Sequence, residues 1–184
     1  MRQDHLLNNL EKLNEKLKKE NIFIEIHAIG GFALFLHNID IQRMTVDIDN
    51  VKEISDERVK ELIHEVGEEG GQDNWFDFSA SSLSLPDDYQ ERLVQKTGHS
   101  NINIFVLSLR DIVQLKIAAF YHRRLQGNER DLSDLIQINP TMKGVKEGLE
   151  FIRYKHGSHL TGKFLKELES DLKELEDELS ELFE

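Results

Sequence analysis

The sequence predicts an α+β or α/β fold with a helical C-terminal part, on three observations. β-Branched, alternating runs are confined to the first 108 residues. Periodic helical patterns dominate after residue 108. Hydrophobic residues make up 39% of the 184, enough for a real core. The expected division is a core over 1–108 and a helical region over 109–184 packed on it.

The elements follow in order. Leu6, Leu10, Leu13 and Leu17 recur at spacings of four, three and four, one stripe of an amphipathic helix. "IFIEIHAI" (22–29) reads as a strand, ended by Gly30-Gly31. "FALFLHN" follows as a short buried helix, and "MTVDIDNV" (44–51) as a second strand. Ser55 is placed to cap the helix "DERVKELIHEVGEE". "WFDFSA" (75–80) is a third strand, "SSLSLPDDYQERL" a loop broken by Pro86, and "INIFVLS" (102–108) a further strand. "LRDIVQLKIAAFYHRRL" is strongly helical, with further helices near 129–138, 142–156 and 161–183.

Composition removes several functions. A net charge of −12 argues against a general nucleic-acid coat protein, which presents a dominant basic field. The chain has no cysteine, which excludes disulfides, zinc–thiolate sites and thiol nucleophiles. The N-terminal segment is charged throughout, and no apolar run approaches a membrane span, so a cytoplasmic protein with no membrane partner is expected.

The stretch "IGGFALFLHNIDIQRMTVDIDN" (29–50) carries the chemistry. A strand ending in Gly-Gly lets backbone N–H groups approach a phosphate, since glycine has no side chain in the way. Residues two apart on a strand share a face, so Asp47 and Asp49 are expected to project together. Paired carboxylates repel unless a cation lies between them, and hard oxygen donors suit Mg²⁺ or Mn²⁺. A tight turn and a solvated strand edge are the plain readings of the same residues. "DIDNVKEISDER" also opens like a calcium loop, but Val51, Lys52 and Arg58 occupy positions where that loop needs an oxygen ligand, Gly and Glu.

In this order and spacing, "GGFALFLHNIDIQRMTVDID" resembles the signature of the DNA polymerase β-like nucleotidyltransferase superfamily. Arg43-Met44-Thr45-Val46-Asp47-Ile48-Asp49 is most similar to the branch of AbiEii-type toxins and related bacterial nucleotidyltransferases. "LRDIVQLKIAAFYHRRLQGNERDLSDL" resembles the same branch. The resemblance implies a mixed sheet flanked by helices, Mg²⁺ or Mn²⁺ on Asp47 and Asp49, and an NTP held by Gly30 and Gly31. Arg43, Thr45 and Arg123 are its further nucleotide-binding candidates. Lys116 and Asp131 are its further catalytic candidates, with Asp134 an alternative to Asp131. It implies transfer of an NMP from an NTP to an acceptor that is RNA, a protein or a small molecule, in a toxin–antitoxin or phage-defence setting.

Many superfamily members carry a third carboxylate on a later strand. "NINIFVLS" has none, and Asp77 substitutes only if its strand lies beside the first pair. That departure keeps a second reading: an inactive nucleotidyltransferase fold that senses nucleotide or binds a protein. Lys116 lies in the apolar stretch "IVQLKIAAF", where it either snorkels to solvent or pairs with Asp131 or a phosphate. Arg123 and Arg124 read equally well as a solvated helix end. His156 and His159 have ligand-like spacing without a carboxylate pattern. The leucines of "FLKELESDLKELEDELSELF" form a short heptad seam that packs on its own chain, on a second copy as a homodimer, or on a partner.

Overall fold

The computed structural model describes residues 4–41, 44–96, 98–127 and 129–183. The chain forms two compact units, one of residues up to Leu83 with Asp88–Ser108, the other of Ser84–Asp87 with Leu109 onward. The architecture is α+β with a helical C-terminal part.

In the first unit the leucine stripe makes helix α1, Asp4–Glu20, with Leu6, Leu10, Leu13 and Leu17 all buried. Strand β1 runs Ile24–Ile29, helix α2 Gly30–Leu36, and strand β2 Ile48–Asn50. Helix α3, Glu57–Gly70, starts one residue later than expected. Its cap is Asp56, whose carboxylate accepts from Arg58 N–H, rather than Ser55. It ends at Gly71, whose φ of +65° supplies a left-handed cap. Strand β3 is only Phe76–Asp77, because a 3₁₀ turn begins at Ser79. The expected loop holds a second 3₁₀ turn, Tyr89–Arg92, and a short strand β4, Val94–Lys96, before β5 at Ile102–Val106.

Among the described residues the five strands make one mixed sheet in the order β3-β2-β1-β5-β4. β1 runs antiparallel to β2 and parallel to β5. Alternation sorts the sheet into two faces. Ile26, Ala28, Ile48, Ile102, Ile104 and Val106 are buried on one, and Val59, Leu62, Ile63 and Val66 of α3 are buried as well. Trp75 is anchored to α3 by Nε1–H donating to the Ile63 carbonyl at 2.9 Å. The opposite face carries Glu25, His27, Asp49 and Asp77, and it holds the polar groups of interest.

The second unit is helical: α4 Leu109–Arg123, α5 Arg130–Ile138, α6 Met142–Ile152 and α7 Gly162–Phe183. A π-helical turn, Arg153–Gly157, follows α6. α4 and α6 approach closely at Gly148, where a Cβ would lie 2.6 Å from Ile117 Cδ1. Leu168, Leu172, Leu175 and Leu179 of α7 are buried in one core with Val113, Ile117, Phe120 and Leu149. These four leucines of the seam are therefore consumed within their own unit. Among the described residues no helix is long and apolar enough to cross a membrane.

Candidate functional site

The glycine turn and one of the two carboxylates, Asp49, meet at the end of β1. Gly30 has φ +65°, a conformation that costs an L-residue about 1–2 kcal/mol. Space is also denied: a Cβ built on Gly30 would lie 2.0 Å from Asp49 Oδ2. Glycine is favoured here twice, by backbone conformation and by the carboxylate that a Cβ would have to displace. β-Sheet register explains the contact, since Ile29 pairs with Asp49 across the antiparallel β1–β2 ladder. Gly31 is buried in the first turn of α2, where backbone N–H groups have no intrahelical acceptor.

Strand β2 is shorter than the sequence pattern implies. Residues 44–47 do not join the sheet, and Asp47 lies in a bend one residue ahead of β2. The shared strand face expected of Asp47 and Asp49 is thus replaced by a bend next to a strand. Both are half-buried, and Ile48 between them is fully buried. Thr45 is 1% exposed, and its hydroxyl is buried without a hydrogen-bond partner. Arg43 lies outside the described residues.

Asp77 lies beside the pair, because β2 and β3 run parallel with Asp49 opposite Asp77. Asp77 Oδ1 accepts from Ser79 N–H at 2.7 Å, so this carboxylate also shapes the turn that ends β3. Among the described residues no group of three or more histidines and carboxylates is placed to hold a metal ion. The donor chemistry of Asp47 and Asp49 still fits Mg²⁺, which commonly takes one or two protein carboxylates and completes its shell with water and phosphate oxygens.

The same face carries a polar chain that the sequence reading missed. His27 Nε2 lies 2.6 Å from Glu25 Oε1, which also takes Lys52 Nζ at 2.6 Å. Hydrogen bonding to Lys52, then to His27, holds the Glu25 carboxyl below the ordinary range. Asn50 Oδ1 accepts from His27 N–H, which ties β2 to β1. Period-two spacing of Glu25 and His27 on a predicted strand was the available signal.

The second unit holds a different cluster. Lys116 Nζ lies 2.9 Å from Asp131 Oδ1 and 2.7 Å from Asp134 Oδ2, with both aspartate side chains nearly inaccessible. Lys116 therefore does not snorkel to solvent; its charge turns inward, between α4 and α5. Arg123 NH1 lies 3.1 Å from Asp131 Oδ2, an ion-pair contact outside hydrogen-bonding alignment, since Oδ2 has no hydrogen-bond partner. Spacing of seven places Lys116 and Arg123 on one side of α4, so both reach the same carboxylate.

Residues 4–140 match a family model described as nucleotidyltransferase of unknown function (DUF6036). The chain belongs to that family. No curated protein and no solved structure matches it. The matched stretch contains all five strands, the glycine–carboxylate corner and the Lys116 cluster, and ends before α6 and α7.

Proposed function

We propose that this chain is a cytoplasmic, Mg²⁺- or Mn²⁺-dependent nucleotidyltransferase that moves an NMP from an NTP to an RNA, protein or small-molecule acceptor. The observation that carries the reading is the contact of Gly30 with Asp49: a left-handed glycine turn set directly against a carboxylate. Asp47 and Asp49 would hold the cation, and backbone N–H groups at Gly30 and Gly31 would meet the phosphates. A bound divalent cation would supply charge neutralisation on the phosphate oxygens. Thr45 and Arg43 are candidate nucleotide contacts, and Asp77 a carboxylate in register with Asp49. Lys116, Asp131, Asp134 and Arg123 take their proposed catalytic and nucleotide-binding roles from the family resemblance.

The test is transfer of label. The full chain is incubated with each α-labelled NTP, Mg²⁺ or Mn²⁺, and RNA or lysate protein. Label should pass to one acceptor class with wild type and not with Asp47→Asn/Asp49→Asn. Retention of transfer by the double variant would remove these carboxylates from the chemistry.

Two observations favour a second reading, an inactive fold that senses nucleotide or binds a protein. β5 carries no carboxylate, and Lys116 is already occupied by two aspartates. NTP- and metal-dependent stabilisation without label transfer would select it. The biological setting we favour, toxin–antitoxin or phage defence, rests on the resemblance to AbiEii-type toxins. Growth arrest on expression of wild type, absent with Asp47→Asn/Asp49→Asn, is its test. A homodimer or protein partner through α7 belongs to the same proposal. With Leu168, Leu172, Leu175 and Leu179 buried, Phe164 and Leu182 are the exposed apolar residues of α7 that would meet it.

A further inference from the structure

We infer that His122 and His156 form a binding site for a late first-row divalent cation, Zn²⁺, Ni²⁺ or Cu²⁺, in the second unit. The two come from different elements, the last turn of α4 and the π-helical turn after α6. Their Nε2 atoms face each other at 3.1 Å, with ring planes at 78° and centroids 4.7 Å apart. Both side chains are exposed, so an ion reaches them from solvent. The π-helical turn ends α6 with a wider hydrogen-bonding register than an α-helix, which shifts where its side chains point. Here the turn aims His156 back at α4.

The spacing suits one ion between two imidazoles. With Zn–N bonds of about 2.0–2.1 Å and angles between square and tetrahedral, two ligand nitrogens lie about 2.9–3.4 Å apart. A metal-free pair at this separation shares one proton in an N–H···N bond; when a cation takes that place, the donor ring moves its proton through solvent from Nε2 to Nδ1, and both imidazoles stay neutral. Ligation needs neutral imidazole. Cations beside the pair each have a carboxylate of their own, Arg123 with Asp131 and Lys155 with Asp87. Two nitrogen donors without a carboxylate select against Mg²⁺ and Ca²⁺ and for imidazole-seeking metals. The remaining coordination positions go to water, and the ion cross-links the end of α4 to the turn that follows α6.

Calorimetric titration of the tag-free full chain with ZnCl₂, NiCl₂ and CuCl₂ tests this. One ion per chain should bind, and the melting temperature should rise with metal. His122→Ala and His156→Ala should each weaken binding about tenfold or more, which by affinity arithmetic is about 1.4 kcal/mol. Excess Mg²⁺ should not compete. His122→Gln and His156→Gln keep a hydrogen-bonding side chain, so a loss of metal in these variants with unchanged metal-free melting cannot be unfolding. The site is overturned if wild type takes up none of the three metals by about 1 mM. Equal uptake by the histidine variants overturns it too, as does uptake lost only in Asp47→Asn/Asp49→Asn.

Discussion

Two carboxylate clusters in this molecule have opposite surroundings. In the first unit Asp49 is half-buried against the backbone of Gly30, next to a second half-buried carboxylate at Asp47. In the second unit Asp131 and Asp134 are buried and share Lys116, with Arg123 beside one of them. The second cluster is self-neutral: two cations and two anions. A self-neutral buried network is costly to break and has little reason to recruit an ion. A half-exposed carboxylate pair beside a glycine turn has the charge and the access to do so. Burial, rather than residue type, separates a cation-binding candidate from an internal strut.

Lys116→Met is the strongest way to break the contrast. It removes the cation shared by two buried carboxylates, and losing one partner of a buried pair costs about 3–5 kcal/mol. Urea denaturation should show a fall of that order. A loss below about 1 kcal/mol, the range of exposed pairs, would mean that the cluster is solvated and open to phosphate.

Gly30→Ala attacks the first cluster. The left-handed backbone alone should cost about 1–2 kcal/mol, and the new Cβ must displace the Asp49 carboxylate. Stabilisation by Mg²⁺ with NTP should disappear. Asp49→Ala removes the atoms in the way, so adding it to Gly30→Ala should recover part of the lost stability. The two changes should be non-additive by about 0.5 kcal/mol or more. Additive effects would show that glycine and carboxylate act separately.

A smaller effect comes from pH. Burial lowers the pKa of His37, whose Nε2 lies 2.8 Å from the Leu107 carbonyl. A histidine with a depressed folded-state pKa binds fewer protons folded than unfolded. Stability is then full above the unfolded value of 6.5 and falls as pH drops through it. Glu25, depressed from 4.5 by Lys52 and His27, adds loss of the same sign at more acid pH. Urea midpoints should be lower at pH 5.5 than at 7.5, and His37→Gln should shrink the difference. An equal gap in that variant would assign the pH dependence elsewhere.

Smallest of all is Arg123→Gln. Its side chain is 42% exposed, so loss of its pair with Asp131 should cost no more than about 1 kcal/mol. A larger loss would make Arg123, not Lys116, the main counter-charge of the cluster.

Legibility in the sequence followed the range of the forces involved. The α1 leucine stripe, the β1 alternation and the glycine turn are set by local periodicity and backbone conformation, and each was readable from a few neighbouring residues. The nucleotidyltransferase resemblance was readable for the same reason, because its motif lies within one short stretch. Local pattern misled where pairing partners decide the outcome. "MTVDIDNV" alternates like a full strand, yet only Ile48–Asn50 joins the ladder, and the three-residue β4 has no distinctive pattern. Long-range contacts were decided only by the fold: Asp49 against Gly30, Asp77 opposite Asp49, Glu25 and His27 with Lys52, and Lys116 turned inward to two aspartates. By itself the sequence determined which residues carry charge and which backbone positions need glycine. Tertiary structure decided which charges are neutralised, because a carboxylate's role depends on the groups within a few ångströms, and those come from other elements of the chain.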